Sequence, residues 1–203
     1  SRIDTFLSKQ SIIRENDAAQ ATTKARKKRQ VKTKGQLHLD LVEVKFKDLK
    51  PCKCNTTQKG FVYDVTGART WRQSIPIKGL PDDGVADERK RGYFVGMVDA
   101  LTGLSWFHFI EEKSHKWVTP VVNAGISFFV KWLKVPRNKL SIYSDAGSEF
   151  AWKKYKVGKT LVVPRSPYIE SRNSFFQRAL VRIAGMKVTN NIYKLGDLAV
   201  EQM

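Results

Sequence analysis

An aspartate within an apolar segment constrains the fold of this chain more than any other feature. The segment from Leu37 to Phe46 is rich in leucine and valine and has the length of a β-strand, yet it contains Asp40. Burying a carboxylate is costly unless a partner or a metal ion compensates its charge. The sequence therefore predicts a central strand that presents Asp40 to a site.

Other apolar segments predict the remaining elements of an α/β fold. The order is strand, hairpin pair, helix, strand, strand, helix, which predicts a mixed five-stranded sheet flanked by helices. The strands after the first are expected at 93–100, 104–110, 139–144 and 159–163, and the helices at 115–134 and 168–184.

Composition divides the chain into three parts. Residues 1–35 are basic and poor in aromatic residues, which predicts an extended arm that orders on a partner or remains as a targeting or linker segment. Residues 36–190 are expected to form the core, with 48–92 as a long insertion that contains a hairpin near 61–71. Residues 191–203 are expected to form a C-terminal helical segment.

The charge balance predicts a nucleic-acid partner. The chain has 37 Lys and Arg against 19 Asp and Glu, a formal net charge of +18, and cations of this number favour a polyphosphate. The residues expected to bind phosphate are Lys24, Arg26, Lys27, Lys28, Arg29, Lys32, Lys34, Lys153, Lys154, Lys156, Arg165, Arg172, Arg178 and Arg182. Trp152 and Tyr155 lie among them and are expected to stack on bases or sugars.

No apolar segment approaches the roughly 20 residues that span a bilayer, so no membrane is expected. Two cysteines, Cys52 and Cys54, are too closely spaced for an easy disulfide and incomplete as a zinc site, which favours a reducing compartment. We expect an intracellular protein, and the nucleus or an organelle such as the mitochondrion remain open.

Two further acids are candidates for a site with Asp40. Asp145 follows a strand directly, and Glu170 lies in the first turn of the last predicted helix. Each also has a structural interpretation, Asp145 as a cap of the turn before Gly147 and Glu170 as a favourable charge at a helix N-terminus. Asp99 is expected in a turn, and Glu149 is expected to be exposed.

Four segments, taken in order, resemble the catalytic core of retroviral and retrotransposon integrases, a family of DDE transposases. They are Leu37-His38-Leu39-Asp40-Leu41-Val42, the stretch Tyr93 to Asp99, Tyr143-Ser144-Asp145-Ala146-Gly147-Ser148-Glu149-Phe150, and Ser166-Pro167-Tyr168-Ile169-Glu170-Ser171-Arg172-Asn173. The resemblance implies a ribonuclease H-like fold in which Asp40, Asp145 and Glu170 are catalytic and bind Mg²⁺ or Mn²⁺. It also implies two-metal phosphodiester chemistry on DNA and a possible homo-oligomer.

The chain also departs from that family. The separation of 170 − 145 = 25 positions is short, Ala146 stands where the family has Asn, and no zinc module precedes the core. An alternative is therefore a domesticated integrase-like protein without a cofactor, a structural RNA-binding component of a large ribonucleoprotein such as a mitochondrial ribosome, with ribosomal RNA as its partner. A ribonuclease H-type nuclease without strand transfer is a third hypothesis.

Overall fold

A computed structural model describes residues 31–49, 55–56, 83–85, 90–145, 147, 149–150, 155–164 and 166–203. The chain divides into two units, Ser1–Lys32 and Thr33–Met203. Of the first unit, only Val31 and Lys32 are among the described residues, so most of the predicted arm lies outside them. The hairpin predicted near 61–71 also lies outside them.

The second unit is built on a five-stranded sheet. Its strands are β1 (Gln36–Lys45), β4 (Arg91–Asp99), β5 (Ser105–Ile110), β6 (Ser141–Ser144) and β7 (Lys159–Val162), in the order β5-β4-β1-β6-β7. Two short strands, β2 (Asn55–Thr56) and β3 (Asp83–Val85), form a separate antiparallel pair. The helices are α1 (His115–Leu133), α2 (Pro167–Gly185) and α3 (Ile192–Glu201), with 3₁₀ turns at Phe46–Leu49 and Arg137–Lys139.

The sheet is mixed because β1 pairs differently with its two neighbours. It runs antiparallel to β4 over nine positions, from Leu37–Asp99 to Lys45–Arg91. It runs parallel to β6 over three positions, of which His38–Tyr143 is the last. The five-stranded mixed sheet with helices confirms the α/β fold class and the mixed five-stranded sheet predicted from the sequence.

Alternation along β1 places a helix-covered core on each face of the sheet. Leu37 and Leu39 point to the face that α1 covers, where Trp117, Val121 and other apolar side chains of that helix are buried. Val42 and Val44 point to the opposite face, which α2 and α3 cover. His38 and Asp40 share this second face, so these two polar side chains of β1 lie on the side of α2.

The C-terminal segment belongs to the second core. Ile192, Leu195 and Ala199 of α3 are buried against side chains of α2 and of the sheet. Asn191 caps α3, since its side-chain oxygen accepts hydrogen bonds from the backbone N–H groups of Tyr193 and Lys194. Residues 191–203 are therefore packed as part of the sheet's helical cover.

Candidate active site

The two predicted aspartates lie on neighbouring strands near one end of their pairing. The last β1–β6 pair is His38–Tyr143; Asp40 lies two residues further along β1, and Asp145 lies two residues after Tyr143, just past the end of β6. Because the two strands are parallel and side chains alternate, both carboxylates leave the sheet on the face of α2. The early end of β6 at Ser144 leaves Asp145 at the edge of the paired region.

Glu170 completes the set from the first turn of α2. A cavity of about 130 Å³ is lined by all three acids. Its lining residues, here named the acidic cavity, are Leu39, Asp40, Ser144, Asp145, Val163, Pro164, Ser166, Ile169 and Glu170. The structure thus brings together the three carboxylates that the sequence singled out.

The charges in the acidic cavity act on one another. Burial raises the pKa of Asp40 above its usual value, and the nearby charges of Asp145 and Glu170 raise it further. A hydrogen bond from the Leu41 backbone and the charge of Lys113 oppose this shift. A cluster of like charges that disfavours its own ionisation is a feature of functional sites and of cation sites.

Asn173 orients Asp40. The side-chain Nδ2 of Asn173 donates a hydrogen bond to Oδ2 of Asp40 over 2.8 Å, while Oδ1 of Asp40 accepts from the Leu41 N–H, also over 2.8 Å. Sequence analysis did not assign Asn173 to the site. Its one-turn spacing from Glu170 on α2 was the available signal, because residues three apart on a helix share a face.

A second contact fixes the start of α2. Ser166, immediately before the helix, forms a buried 2.6 Å hydrogen bond with Nδ1 of His38. The His38 ring also stacks on Tyr143 and lies 4.9 Å from the Tyr168 ring. Burial lowers the pKa of His38 to about 4, against the opposing charge of Asp99, so the ring is neutral at pH 7. These contacts tie the helix turn that carries Glu170 to the strand that carries Asp40.

The donor set suits Mg²⁺ or Mn²⁺ in chemical type, because these ions prefer carboxylate oxygens. Among the residues that the structure describes, however, no three His, Cys, Asp or Glu side chains lie close enough together to hold a metal ion as they stand. Asp145 also accepts a 3.2 Å hydrogen bond from the Gly147 N–H, as the turn-cap interpretation expects. Metal binding by Asp40, Asp145 and Glu170 stays a prediction.

The predicted phosphate-binding residues are dispersed. Lys24, Arg26, Lys27, Lys28, Arg29, Lys153, Lys154 and Arg165 lie outside the described residues. Lys32, Lys34 and Lys156 are exposed. On α2, Arg178 lies over the exposed Phe175 ring, Arg182 contacts Gln202, and the Arg172 guanidinium lies against Gly103. None of these six described residues lines the acidic cavity.

Two expectations about side chains after β6 were wrong. Tyr155 does not offer a stacking surface, since it is 5% exposed and packs in the core beneath α1. Glu149 is not exposed either, because it is buried in an ion pair of 2.9 Å with Lys113. Asp99, expected in a turn, is instead the last residue of β4, and its carboxylate accepts two hydrogen bonds from Thr102 in the turn that follows.

Comparison with known proteins finds similarity to solved structures only. No family model matches the chain, and no curated protein matches it. The catalytic core domain of HTLV-2 integrase, in complex with magnesium and in trimeric form, is 13% identical over 54% of this chain and 72% of its own, with a TM-score of 0.41. The catalytic core domain of BIV integrase is 18% identical over the same shares, with a TM-score of 0.39.

Within the described part of the chain, no helix combines the length and the apolar character that crossing a bilayer requires.

Proposed function

We propose that this chain is an integrase-like polynucleotidyl transferase core that acts on nucleic-acid phosphodiesters. One observation carries the proposal: Asp40, Asp145 and Glu170, far apart in sequence, line one cavity, and their charges act on one another. A cluster of this kind is costly to the fold, and a ligand that brings positive charge would offset that cost.

The residues of the chain would have separate roles. Asp40, Asp145 and Glu170 would hold Mg²⁺ or Mn²⁺, which, when bound, activates an attacking water or 3′-hydroxyl and stabilises the leaving oxygen. Asn173 holds the Asp40 carboxylate in one orientation. The Ser166–His38 hydrogen bond keeps the first turn of α2 against β1.

The partner follows from charge. A net charge of +18 favours a polyphosphate, and DNA is the substrate that a transferase of this type would take. A homo-oligomer would bring two such cores to one nucleic-acid substrate.

The test is Mg²⁺- or Mn²⁺-dependent cleavage and joining of labelled DNA ends by the full chain. Asp145→Asn should abolish both activities, because it removes one charge and one oxygen ligand from the cavity while leaving the side-chain size unchanged. Asp48→Asn is the matched control, since Asp48 is an exposed acid in the 3₁₀ turn after β1 and does not line the acidic cavity. Cleavage without joining would favour the nuclease hypothesis.

A second candidate is a domesticated, non-catalytic component of a ribonucleoprotein that binds ribosomal RNA. One observation favours it: both oxygens of Asp40 already accept hydrogen bonds from within the protein. Under this hypothesis the wild type and Asp145→Asn would be equally inactive, and both would bind RNA with the same salt dependence. An active wild type beside an inactive Asp145→Asn variant would exclude the non-catalytic hypothesis.

A further inference from the structure

Lys113 lies where two loops leave the same edge of the sheet. β5 and β1 both run antiparallel to β4, and β1 runs parallel to β6, so β5 and β6 point in the same direction. The loop after β5 contains Lys113, and the loop after β6 contains Asp145 and Glu149. The Lys113–Glu149 ion pair joins these loops across 2.9 Å.

Glu149 is a buried carboxylate that pairs with the more exposed ammonium group of Lys113. Its side chain is 5% exposed, whereas that of Lys113 is 49% exposed. The absence of a side chain at Gly147 leaves room for the Glu149 carboxylate, because a Cβ at position 147 would lie 2.6 Å from the Glu149 carboxyl carbon. The same Gly147 donates its N–H to Asp145, so the turn that buries Glu149 also positions an acid of the cavity.

The ammonium group of Lys113 also acts on the acidic cavity. Its charge lowers the pKa of Asp40, and the charge of Asp145 helps to raise the pKa of Lys113 after the larger effect of the Glu149 hydrogen bond. Three carboxylates repel a phosphate, so a cation beside the cavity lowers the repulsion that an approaching nucleic-acid strand meets. The sequence analysis had not assigned this role to Lys113.

We propose that Lys113 binds a phosphate group of the nucleic-acid strand that enters the acidic cavity, and that Glu149 holds the ammonium group in position for it. An ammonium has three donors, and the contact with Glu149 occupies one of them. The exposed part of the side chain leaves the others accessible to phosphate oxygens. The inference rests on the proposed function, since it names how that site receives its substrate.

The test measures binding of a labelled oligonucleotide to the full chain over a range of salt concentrations, apart from any activity. Lys113→Ala should weaken binding about tenfold and reduce the slope of log affinity against log salt by about one, because one phosphate contact is lost. Lys113→Arg should keep the slope of the wild type. Lys131→Ala is the matched control, because Lys131 is an exposed lysine in the last turn of α1.

The single Lys113→Ala variant leaves the buried Glu149 carboxylate without this partner and could unfold the loop. A Lys113→Met/Glu149→Leu double variant removes both charges together and avoids that cost. It should fold and show the same reduced slope. The decisive comparison is made when the wild type binds the oligonucleotide. If Lys113→Ala or the double variant then has the same salt-dependence slope as Lys131→Ala, the inference about Lys113 is overturned and the proposed function stands. If the wild type binds no nucleic acid, both fail.

Discussion

Asp99 and Asp40 lie in adjacent strands of one sheet and differ in what surrounds the carboxylate. Asp99 is fully buried and accepts hydrogen bonds from the Gly35 N–H, the Thr102 N–H and the Thr102 hydroxyl, over 2.7 to 2.9 Å. Asp40 accepts two hydrogen bonds and shares a cavity with two more acids. Three donors therefore compensate the charge of Asp99 within the fold, whereas the charge of Asp40 has two donors and is opposed by the charges of Asp145 and Glu170.

The largest expected effect is on stability at Asp99. Asp99→Ala removes the acceptor of three donors and should lower the free energy of unfolding by about 3 kcal/mol or more, measured by urea unfolding. Asp40→Asn should not lower it comparably, since it retains an acceptor for the Leu41 N–H and removes repulsion from Asp145 and Glu170. An equal loss in both variants would erase the distinction between the two aspartates.

The next largest effect is expected at Gly96, which lies beside the Asn173 side chain that orients Asp40. Gly96 pairs with Asp40, and a Cβ there would lie 2.6 Å from the Phe107 ring and 3.1 Å from Oδ1 of Asn173. Gly96→Ala should cost about 1–3 kcal/mol through overpacking and should reduce activity by displacing Asn173 from Asp40. Gly185→Ala is the control, because nothing lies within 4 Å of a Cβ at that exposed position. Full activity in Gly96→Ala would show that the Asn173 contact is dispensable.

Asp197 in α3 is an acid that belongs neither to the acidic cavity nor to the turn around Asp99. Burial raises its pKa from 3.8 to about 9, so the folded state holds the proton more tightly than the unfolded state does. The resulting stabilisation is complete below about pH 4 and is lost as the pH rises towards 9, by at most about 1.4 kcal/mol per pH unit. Since the side chain is half-buried, partial solvation reduces the pKa shift and therefore the total loss of stability over this range, although not the maximum slope.

Asp197→Asn should remove this slope, because the amide does not titrate. Urea unfolding at several pH values between about 4 and 9 measures how the free energy of unfolding depends on pH. A wild type whose stability is constant from pH 4 to 9 would contradict the assigned pKa.

The smallest expected effect is at the start of α2. Ser166→Ala removes the hydrogen bond to His38 and should cost about 1 kcal/mol of stability. Because that contact ties the turn carrying Glu170 to β1, activity should fall by more than the stability loss explains. Ser166→Thr keeps a hydroxyl at this position and should therefore restore the activity. Equal activity in the alanine variant and the wild type would show that Glu170 is held by other contacts.

Sequence patterns predicted the fold and the three acids for identifiable reasons. An aspartate within an apolar strand and a helix with an acid in its first turn are local signals, and Asp40 and Glu170 were found through them. Asn173 and Lys113 make their contacts with residues distant in sequence, which local patterns do not specify, although the three-residue spacing from Glu170 placed Asn173 on the same helix face. Tyr155 was misassigned for the same reason: its basic neighbours suggested a surface position, but its ring packs beneath α1.

The unequal pairing of β1 has a consequence for motion. Nine positions hold β1 to β4 and three hold it to β6, so the two walls of the acidic cavity should open at different free energies. Backbone amides of β1 and β4 should exchange with solvent only when most of the sheet unfolds, and those of β6 and β7 during smaller openings. Asp40 should therefore lie on the slowly exchanging side of the cavity, and Asp145 on the side that opens at the lower free energy.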